Sequence, residues 1–85
     1  MQTRRLAMDD IYIVIPWSRK SKRARAIIQS VLNTLEQLGY KAERIPRRCL
    51  KYCYRHERYE CACCWVDEPA VIFELRGGVI AYKLK

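Results

Sequence analysis

Residues 11–25 read IYIVIPWSRKSKRAR, and this stretch decides the fold. Residues 11–15 form an uncharged run of β-branched and aromatic residues without alternation, which is typical of a strand covered on both faces. Pro16 ends the strand because proline cannot donate a hydrogen bond to a central ladder. The following residues begin a helix, so the stretch predicts a strand and a crossover helix that packs on the same sheet.

The predicted helix is amphipathic and runs to Gly39, a natural C-terminal stop. Ser18 or Ser21 can cap its N-terminus. Residues 40–45 then predict a second strand, and the strand–helix–strand connection should be right-handed. The apolar stripe of the helix, at spacings of three and four, consists of Ala24, Ile28, Val31, Leu35 and Leu38, widened by Ile27 and Leu32.

The end of the chain predicts two strands, at residues 70–76 and 79–84, joined by a hairpin turn at Gly77-Gly78 because primed turns need positive φ. The segment between, RRCLKYCYRHERYECACCWVDEP, is ambiguous. We favour a short second helix over residues 48–58 and a strand over residues 61–66, although its alternating Tyr and Cys residues also allow a hairpin. The prediction is therefore one α+β domain over residues 10–85, a sheet with helices on one face, preceded by a flexible N-terminus at residues 1–9.

Composition points to a nucleic-acid partner. Seventeen Lys and Arg against nine Asp and Glu give a net charge of +8 on 85 residues, which favours a polyanionic ligand. No apolar run approaches the roughly 20 residues that span a bilayer, and the N-terminus lacks the apolar core of a signal peptide. We therefore expect a cytoplasmic protein without a membrane partner. Five cysteines, one Asn and three Gln fit a thermophile, such as an archaeal one, whose intracellular proteins carry disulfides.

The basic run lies where a sequence selected only for folding would place acids. Five of the nine residues in Trp17–Arg25 are cationic, and they occupy the start of the predicted helix, where the macrodipole is already positive. A phosphate bound at this helix start would remove the conflict, and Trp17 could stack on an unpaired base. The candidate nucleic-acid-binding residues are Trp17, Ser18, Arg19, Lys20, Ser21, Lys22, Arg23 and Arg25, with Arg44, Arg47 and Arg48 as a second patch.

These residues resemble the start of the Brix domain, a family of ribosome-biogenesis factors. IYIVIPWSRKSKRAR, GYKAERIPRRCL and VIFELRGGVIAYKLK are similar to the family's strand, Ser-Arg-Lys-Pro-Ser-x-Arg-Thr-Arg signature, Arg-rich turn and glycine-turned hairpin. This sequence lacks the proline between Lys20 and Ser21, and Ala24 replaces the threonine. The resemblance implies one anticodon-binding-like half-domain that binds ribosomal RNA, together with ribosome-assembly proteins. The matching signature residues are Ser18, Arg19, Lys20, Ser21, Arg23 and Arg25.

Two other functions remain open from the residues. One is a small basic Alba-like protein that binds DNA or chromatin through a loop after its first strand. The other is a metal-dependent nuclease, for which Asp67, Glu68, Glu74 and Arg76 are the candidate residues. We expect no catalytic activity, no cofactor and no metal.

The cysteines favour disulfides over zinc. Cys49, Cys53, Cys61, Cys63 and Cys64 are the disulfide candidates, and with five thiols at least one stays unpaired within a monomer. We expect one or two disulfides drawn from Cys49, Cys53, Cys61 and one of Cys63 and Cys64. Zinc bound by these cysteines and His56 is the alternative, weakened because Cys61 and Cys64 have the Cys-x-x-Cys spacing but no second pair with that spacing is present. A reactive thiol, with its pKa lowered by nearby arginines, is the third possibility.

Overall fold

The computed structural model describes residues 10–63 and 69–85. It confirms a small α+β domain, with one helix, a four-stranded mixed sheet and a two-stranded hairpin. The predicted flexible N-terminus, residues 1–9, lies outside the described residues. The elements in chain order are β1 (Ile11–Val14), α1 (Lys22–Gln37), β2 (Ala42–Arg44), a 3-10 turn (Arg47–Cys49), β3 (Leu50–Cys53), β4 (Arg58–Cys61), β5 (Ala70–Leu75) and β6 (Gly78–Leu84).

The main sheet has the strand order β1-β5-β6-β2. β1 pairs with β5 in parallel, from Ile11 opposite Val71 to Val14 opposite Glu74. β6 is antiparallel to both β5 and β2, so β2 runs in the same direction as β1 although two strands separate them. The two strands are staggered, however, and β2 ends level with Ile11, the first residue of β1.

β5 supplies the core on both faces of the sheet. Its alternate residues Val71, Phe73 and Leu75 are buried together with α1 residues such as Ala24 and Ile28. This arrangement confirms the prediction that a helix covers one face. The opposite face, which the sequence left without an assigned cover, packs against the β3–β4 hairpin through a second buried cluster: Ile45, Cys49, Leu50, Cys61, Ala70, Ile72, Val79 and Ala81.

Local capping explains where α1 begins and ends. The Ser21 hydroxyl accepts hydrogen bonds from the backbone N–H groups of Arg23 and Ala24, at 3.2 and 3.4 Å, as an N-cap does. At the other end the N–H groups of Gly39 and Tyr40 donate to the carbonyls of Glu36 and Leu35. This is a Schellman motif, and Gly39 has the required positive φ of 98°.

The helix predicted over residues 48–58 is wrong. Only Arg47–Cys49 form a single 3-10 turn, and Leu50 then pairs with Cys61 and Cys53 with Arg58 in an antiparallel hairpin. The alternation of buried and exposed residues favours strands over a helix here, because Leu50 and Cys61 pack in the core beneath the sheet together with Tyr59. The strand predicted over residues 61–66 is also wrong where it can be compared, because β4 spans Arg58–Cys61 and ends before Ala62 and Cys63; residues 64–66 lie outside the described residues.

The turn between β5 and β6 differs from the prediction by one residue. Leu75 pairs with Gly78, so the two turn residues are Arg76 and Gly77, and Gly78 already belongs to β6. Positive φ occurs only at the second turn residue, Gly77, at 78°. This geometry is not that of a primed turn, which has positive φ at its first central residue.

Tyr12 of β1 joins the hairpin to the main sheet. Its hydroxyl donates to the carboxylate of Glu74 and accepts a hydrogen bond from the backbone N–H of Tyr59, at 3.1 Å. The Arg58 guanidinium lies 4.1 Å from the centroid of the Tyr12 ring. Burial and, next, the hydrogen bond to Glu74 raise the pKa of Tyr12 to about 12.

One disulfide closes the cysteine-rich segment. Cys49 and Cys63 are bonded, with their Cα atoms 5.3 Å apart, which confirms the choice of a disulfide for this pair. Cys61 is also disulfide-bonded, and Cys53 carries the free thiol among the described cysteines. Cys64 lies outside the described residues.

We expect Tyr12→Phe to lower the free energy of unfolding by about 1–3 kcal/mol, since it leaves the Tyr59 N–H and the Glu74 carboxylate without their shared partner. Because the pKa of about 12 in the folded protein exceeds the ordinary value of 10, the contribution of Tyr12 should be lost as the pH rises from about 10 to 12. Denaturant titrations across this range test the slope. A tyrosinate absorbance step near pH 12 that persists in Tyr12→Phe would contradict the assignment.

Cys49→Ser should lower the free energy of unfolding by about 3 kcal/mol, because the disulfide closes a loop of about 15 residues. Cys53→Ser is the matched control and should stay close to the wild type. Chemical denaturation without reductant measures both. Peptide mapping after alkylation should find Cys53 modified and Cys49 linked to Cys63; an alkylated Cys49 in the native protein would refute the pairing.

Candidate nucleic-acid interface

The loop between β1 and α1 is held against the β5–β6 turn by backbone hydrogen bonds. The N–H of Ile15 donates to the carbonyl of Glu74 at 2.8 Å, and the N–H of Arg76 donates to the carbonyl of Trp17 at 3.1 Å. The Ile15 bond continues the parallel register of β1 and β5 by one residue, whereas the Trp17 bond lies outside that register, beyond Pro16. Residues 18–20 and 75–78 line the resulting cleft, whose volume is about 360 Å³.

Five exposed cations surround the start of α1. Within residues 10–63 and 69–85, none of the five forms an ion pair with a carboxylate. The Arg23 guanidinium lies 5.6 Å from the centroid of the Trp17 ring, a cation–π contact that leaves its charge uncompensated. The structure thus brings the whole predicted group together: Arg19, Lys20, Lys22, Arg23 and Arg25.

The charges on α1 are reversed relative to its dipole at both ends. The first turn contains no acidic residue, and the last turn contains no basic one, while Glu36 lies in that last turn. Each misplaced charge on an exposed helix end costs about 0.3–1 kcal/mol at low ionic strength. The placement of charge therefore opposes the stability of the isolated helix.

The two serines of the signature act within the loop itself. Ser21 occupies the N–H groups of Arg23 and Ala24, and the Ser18 hydroxyl accepts from the N–H of Lys20 at 3.3 Å. Backbone donors that would otherwise be available to a phosphate at the helix start thus already have acceptors. Side chains must carry most of the attraction for an anion at this site.

Trp17 is partly buried, so part of its ring packs in the core and part stays exposed. It packs against the core cluster beneath α1, which fixes its position, and its indole contacts Arg23. The remaining exposed part of the ring lies beside the cationic loop. A base could stack there without rearrangement of the core.

The second patch lies level with the beginning of β1, because Arg44 pairs with Tyr82, Tyr82 with Val71 and Val71 with Ile11. Arg44 ends β2, and its guanidinium lies 5.7 Å from the centroid of the Tyr82 ring; Arg47 and Arg48 follow on the 3-10 turn, and all three are exposed. Three strand spacings of about 4.8 Å across the sheet and a stagger of three residues along it separate Arg44 from Val14 by roughly 17 Å, so the two patches are separate.

Arg76 is a site residue that the sequence did not assign to nucleic-acid binding. It is exposed, it lines the cleft, and its backbone is bonded to Trp17. The sequence placed it at the end of the strand before the glycine turn. The parallel pairing of β1 with β5, which brings this turn to the basic loop, was not visible in the sequence.

The residues proposed for a nuclease are not assembled in the described part of the chain. Glu74 is hydrogen-bonded to Tyr12, and among residues 10–63 and 69–85 it belongs to no cluster of three metal-binding side chains. Asp67 and Glu68 lie outside the described residues.

No protein-family model, no curated protein and no solved structure matches this chain. The resemblance to the Brix domain therefore stays a prediction from the quoted motifs. In the described part of the chain, no helix is both long and apolar enough to cross a membrane.

Ser21→Ala should lower the free energy of unfolding by about 1 kcal/mol, because the Arg23 and Ala24 N–H groups lose their acceptor. Thermal or denaturant unfolding measures this loss, and Ser30→Ala, an exposed site within α1, is the matched control. A variant as stable as the wild type would show that the Ser21 hydroxyl does not cap the helix.

Proposed function

We propose that this protein binds RNA, with ribosomal RNA in ribosome assembly as its most specific expected ligand. The observation that carries the proposal is the cluster of five exposed cations around the start of α1 that have no carboxylate partner in the described residues. The protein acts as a binding module and not as an enzyme. Its expected setting is the cytoplasm, together with ribosome-assembly proteins.

A polyanion offsets the energetic conflict at the helix start. Like charges one turn apart repel each other, and the helix dipole adds to that repulsion. Phosphate groups bound by these side chains would neutralise the cations, which removes both the mutual repulsion and the repulsion from the helix dipole, and would release counterions. Arg76 widens the contact surface across the cleft, and Arg44, Arg47 and Arg48 offer a second, separate group of exposed cations.

Aromatic side chains favour RNA with unpaired bases over duplex DNA. Trp17 presents part of its ring beside the cations, and bases stack on such rings only when they are unpaired. Its anchorage in the core lowers the entropy lost on binding, because the ring is already ordered. The resemblance to the Brix signature supports ribosomal RNA as the specific target.

An Alba-like DNA-binding role is the second candidate, since it uses a basic loop after the first strand, and such a loop is present here. The two candidates differ in ligand. Affinity measured at several salt concentrations for a structured RNA with unpaired loops, and for duplex DNA of the same length, distinguishes them. Preference for the duplex would favour the DNA-binding role, and cleavage of either ligand after addition of Mg²⁺ or Mn²⁺ would revive the nuclease.

Replacing Arg19, Lys20 and Arg23 with Gln should weaken RNA affinity and reduce the slope of log K against log salt concentration by about 0.7–0.9 for each lost phosphate contact. Folding should be unaffected or slightly improved, because cations leave the positive end of the dipole. Fluorescence anisotropy over a salt series, with thermal unfolding in parallel, measures both effects.

A control variant removes the same amount of charge elsewhere. Lys41, Lys51 and Arg55 are exposed and lie before β2 and on the β3–β4 hairpin, away from the cleft. Changing them to Gln also removes three charges from the net +8. Equal losses of affinity in the two triple variants would mean that RNA responds to overall charge and not to this site, and an unchanged salt slope in the first variant would refute the proposal.

A further inference from the structure

The outer end of the β3–β4 hairpin brings together a thiol, an imidazole and a carboxylate. The Cys53 Sγ lies 3.3 Å from the His56 Nδ1, and that same nitrogen lies 2.7 Å from the Glu60 Oε2. One donor atom from each of the three residues lies within 4.8 Å of the other two. Cys53 is the described cysteine with a free thiol, so its sulfur is available for chemistry.

The hairpin register explains this convergence. Cys53 pairs with Arg58, and Glu60 lies two residues further along β4, so Cys53 and Glu60 project from the same face of the hairpin as diagonal neighbours. Leu50 and Cys61 project from the other face, into the core. His56 reaches the pair from the turn that joins the two strands.

The geometry does not suit a nucleophilic triad. In such a triad the imidazole uses one ring nitrogen for the nucleophile and the other for the carboxylate. Here both contacts converge on Nδ1, which has either one proton or one lone pair to offer. A single proton at Nδ1 cannot satisfy the sulfur and the carboxylate with two well-formed hydrogen bonds, whereas a cation placed among the three atoms satisfies all of them.

We propose that Cys53, His56 and Glu60 bind one zinc ion or a similar divalent transition metal. Thiolate, imidazole and carboxylate are all zinc ligands, with metal–ligand distances of about 2.0–2.3 Å. Tetrahedral coordination at these distances separates neighbouring ligand atoms by roughly 3.2–3.7 Å, so the 2.7 Å contact must open slightly and the 3.3 Å contact hardly changes. On binding, the Cys53 thiol releases its proton to solvent, and no electron transfer is involved.

Three protein ligands leave the fourth position of the metal open to water. His56 is exposed at about half of its side chain, and Glu60 at 18%, so the site lies at the surface and exchanges metal with solvent. The bound ion would fasten the turn to both strands at the end of the hairpin away from the Cys49–Cys63 disulfide. This ligand set differs from the zinc site that the sequence suggested, because Cys49, Cys61 and Cys63 are disulfide-bonded.

Titration of the oxidised full-length chain with Co²⁺, followed by Zn²⁺ competition, tests the proposal. One Co²⁺ should bind, with a thiolate-to-metal charge-transfer band and the intense visible bands of a tetrahedral ion, and Zn²⁺ should displace it. Zn²⁺ should also protect Cys53 from alkylation. The measurements use no reductant, and peptide mapping confirms that the Cys49–Cys63 bond is intact.

Variants locate the metal. Cys53→Ser should abolish the charge-transfer band, and His56→Gln and Glu60→Gln should each weaken binding by at least about 10- to 100-fold, since even loss of a residue that only supports a ligand costs this much. Glu57→Gln is the matched control, because Glu57 is an exposed carboxylate of the same turn, and it should bind like the wild type. Absence of stoichiometric binding, or equal binding by all four variants, would overturn the proposal, and neither result bears on RNA affinity.

Discussion

The parallel pairing of β1 with β5 is the constraint on which the rest of the molecule depends. β5 is buried on both faces, so its register fixes the α1 side and the hairpin side of the core together. The Ile15–Glu74 hydrogen bond continues this pairing past the strand end, and the Trp17–Arg76 bond then holds the following loop against the β5–β6 turn. It thereby places a basic loop beside a glycine turn that is more than 50 residues away in the sequence.

The β3–β4 hairpin completes the core because one helix can cover only one face of the sheet. It extends across the other face from the β2 edge, where Cys49 and Ile45 pack, to the β1 edge, where Tyr59 donates to Tyr12. A two-stranded hairpin alone is marginally stable in water. The Cys49–Cys63 bond closes the open end of the hairpin, and the hydrogen bonds of Tyr12 join the hairpin to the sheet.

The helix of this structure could be predicted from local sequence signals, whereas the hairpin and the exact turn depend on tertiary packing. The apolar spacing of α1, the Ser21 cap and the Gly39 stop act within a few residues, so helix bounds could be inferred from sequence. The hairpin at Leu50–Cys61 could not be inferred from sequence. Leu50, Tyr59 and Cys61 are stabilised in strands by burial against the main sheet, and that contact is not encoded locally. The turn was misplaced by one residue because Gly77 and Gly78 both tolerate positive φ, and only the pairing with β6 tells them apart.

The candidate site likewise has a part that the sequence predicts and a part that only the tertiary structure shows. Its five cations were evident as a run in the sequence, whereas the approach of the β5–β6 turn to these cations follows from a strand order that no local pattern encodes. Arg76 was missed for this reason. The cluster of Cys53, His56 and Glu60 depends likewise on a register in which diagonal neighbours of β3 and β4 meet, and that register exists only in the hairpin.

The groups that position the basic loop are different from the groups that charge it. Backbone amides, the Ser21 hydroxyl and the buried part of Trp17 hold the loop, while the cationic side chains extend into solvent and contribute little to packing. Because of this separation, charge at the site can change without loss of the fold. The unfavourable interaction of the cations with the α1 dipole therefore lowers the stability by a small amount. Burial of β5 on both faces offsets this loss. The loop is held in place before binding, which suits the anionic ligand that we propose.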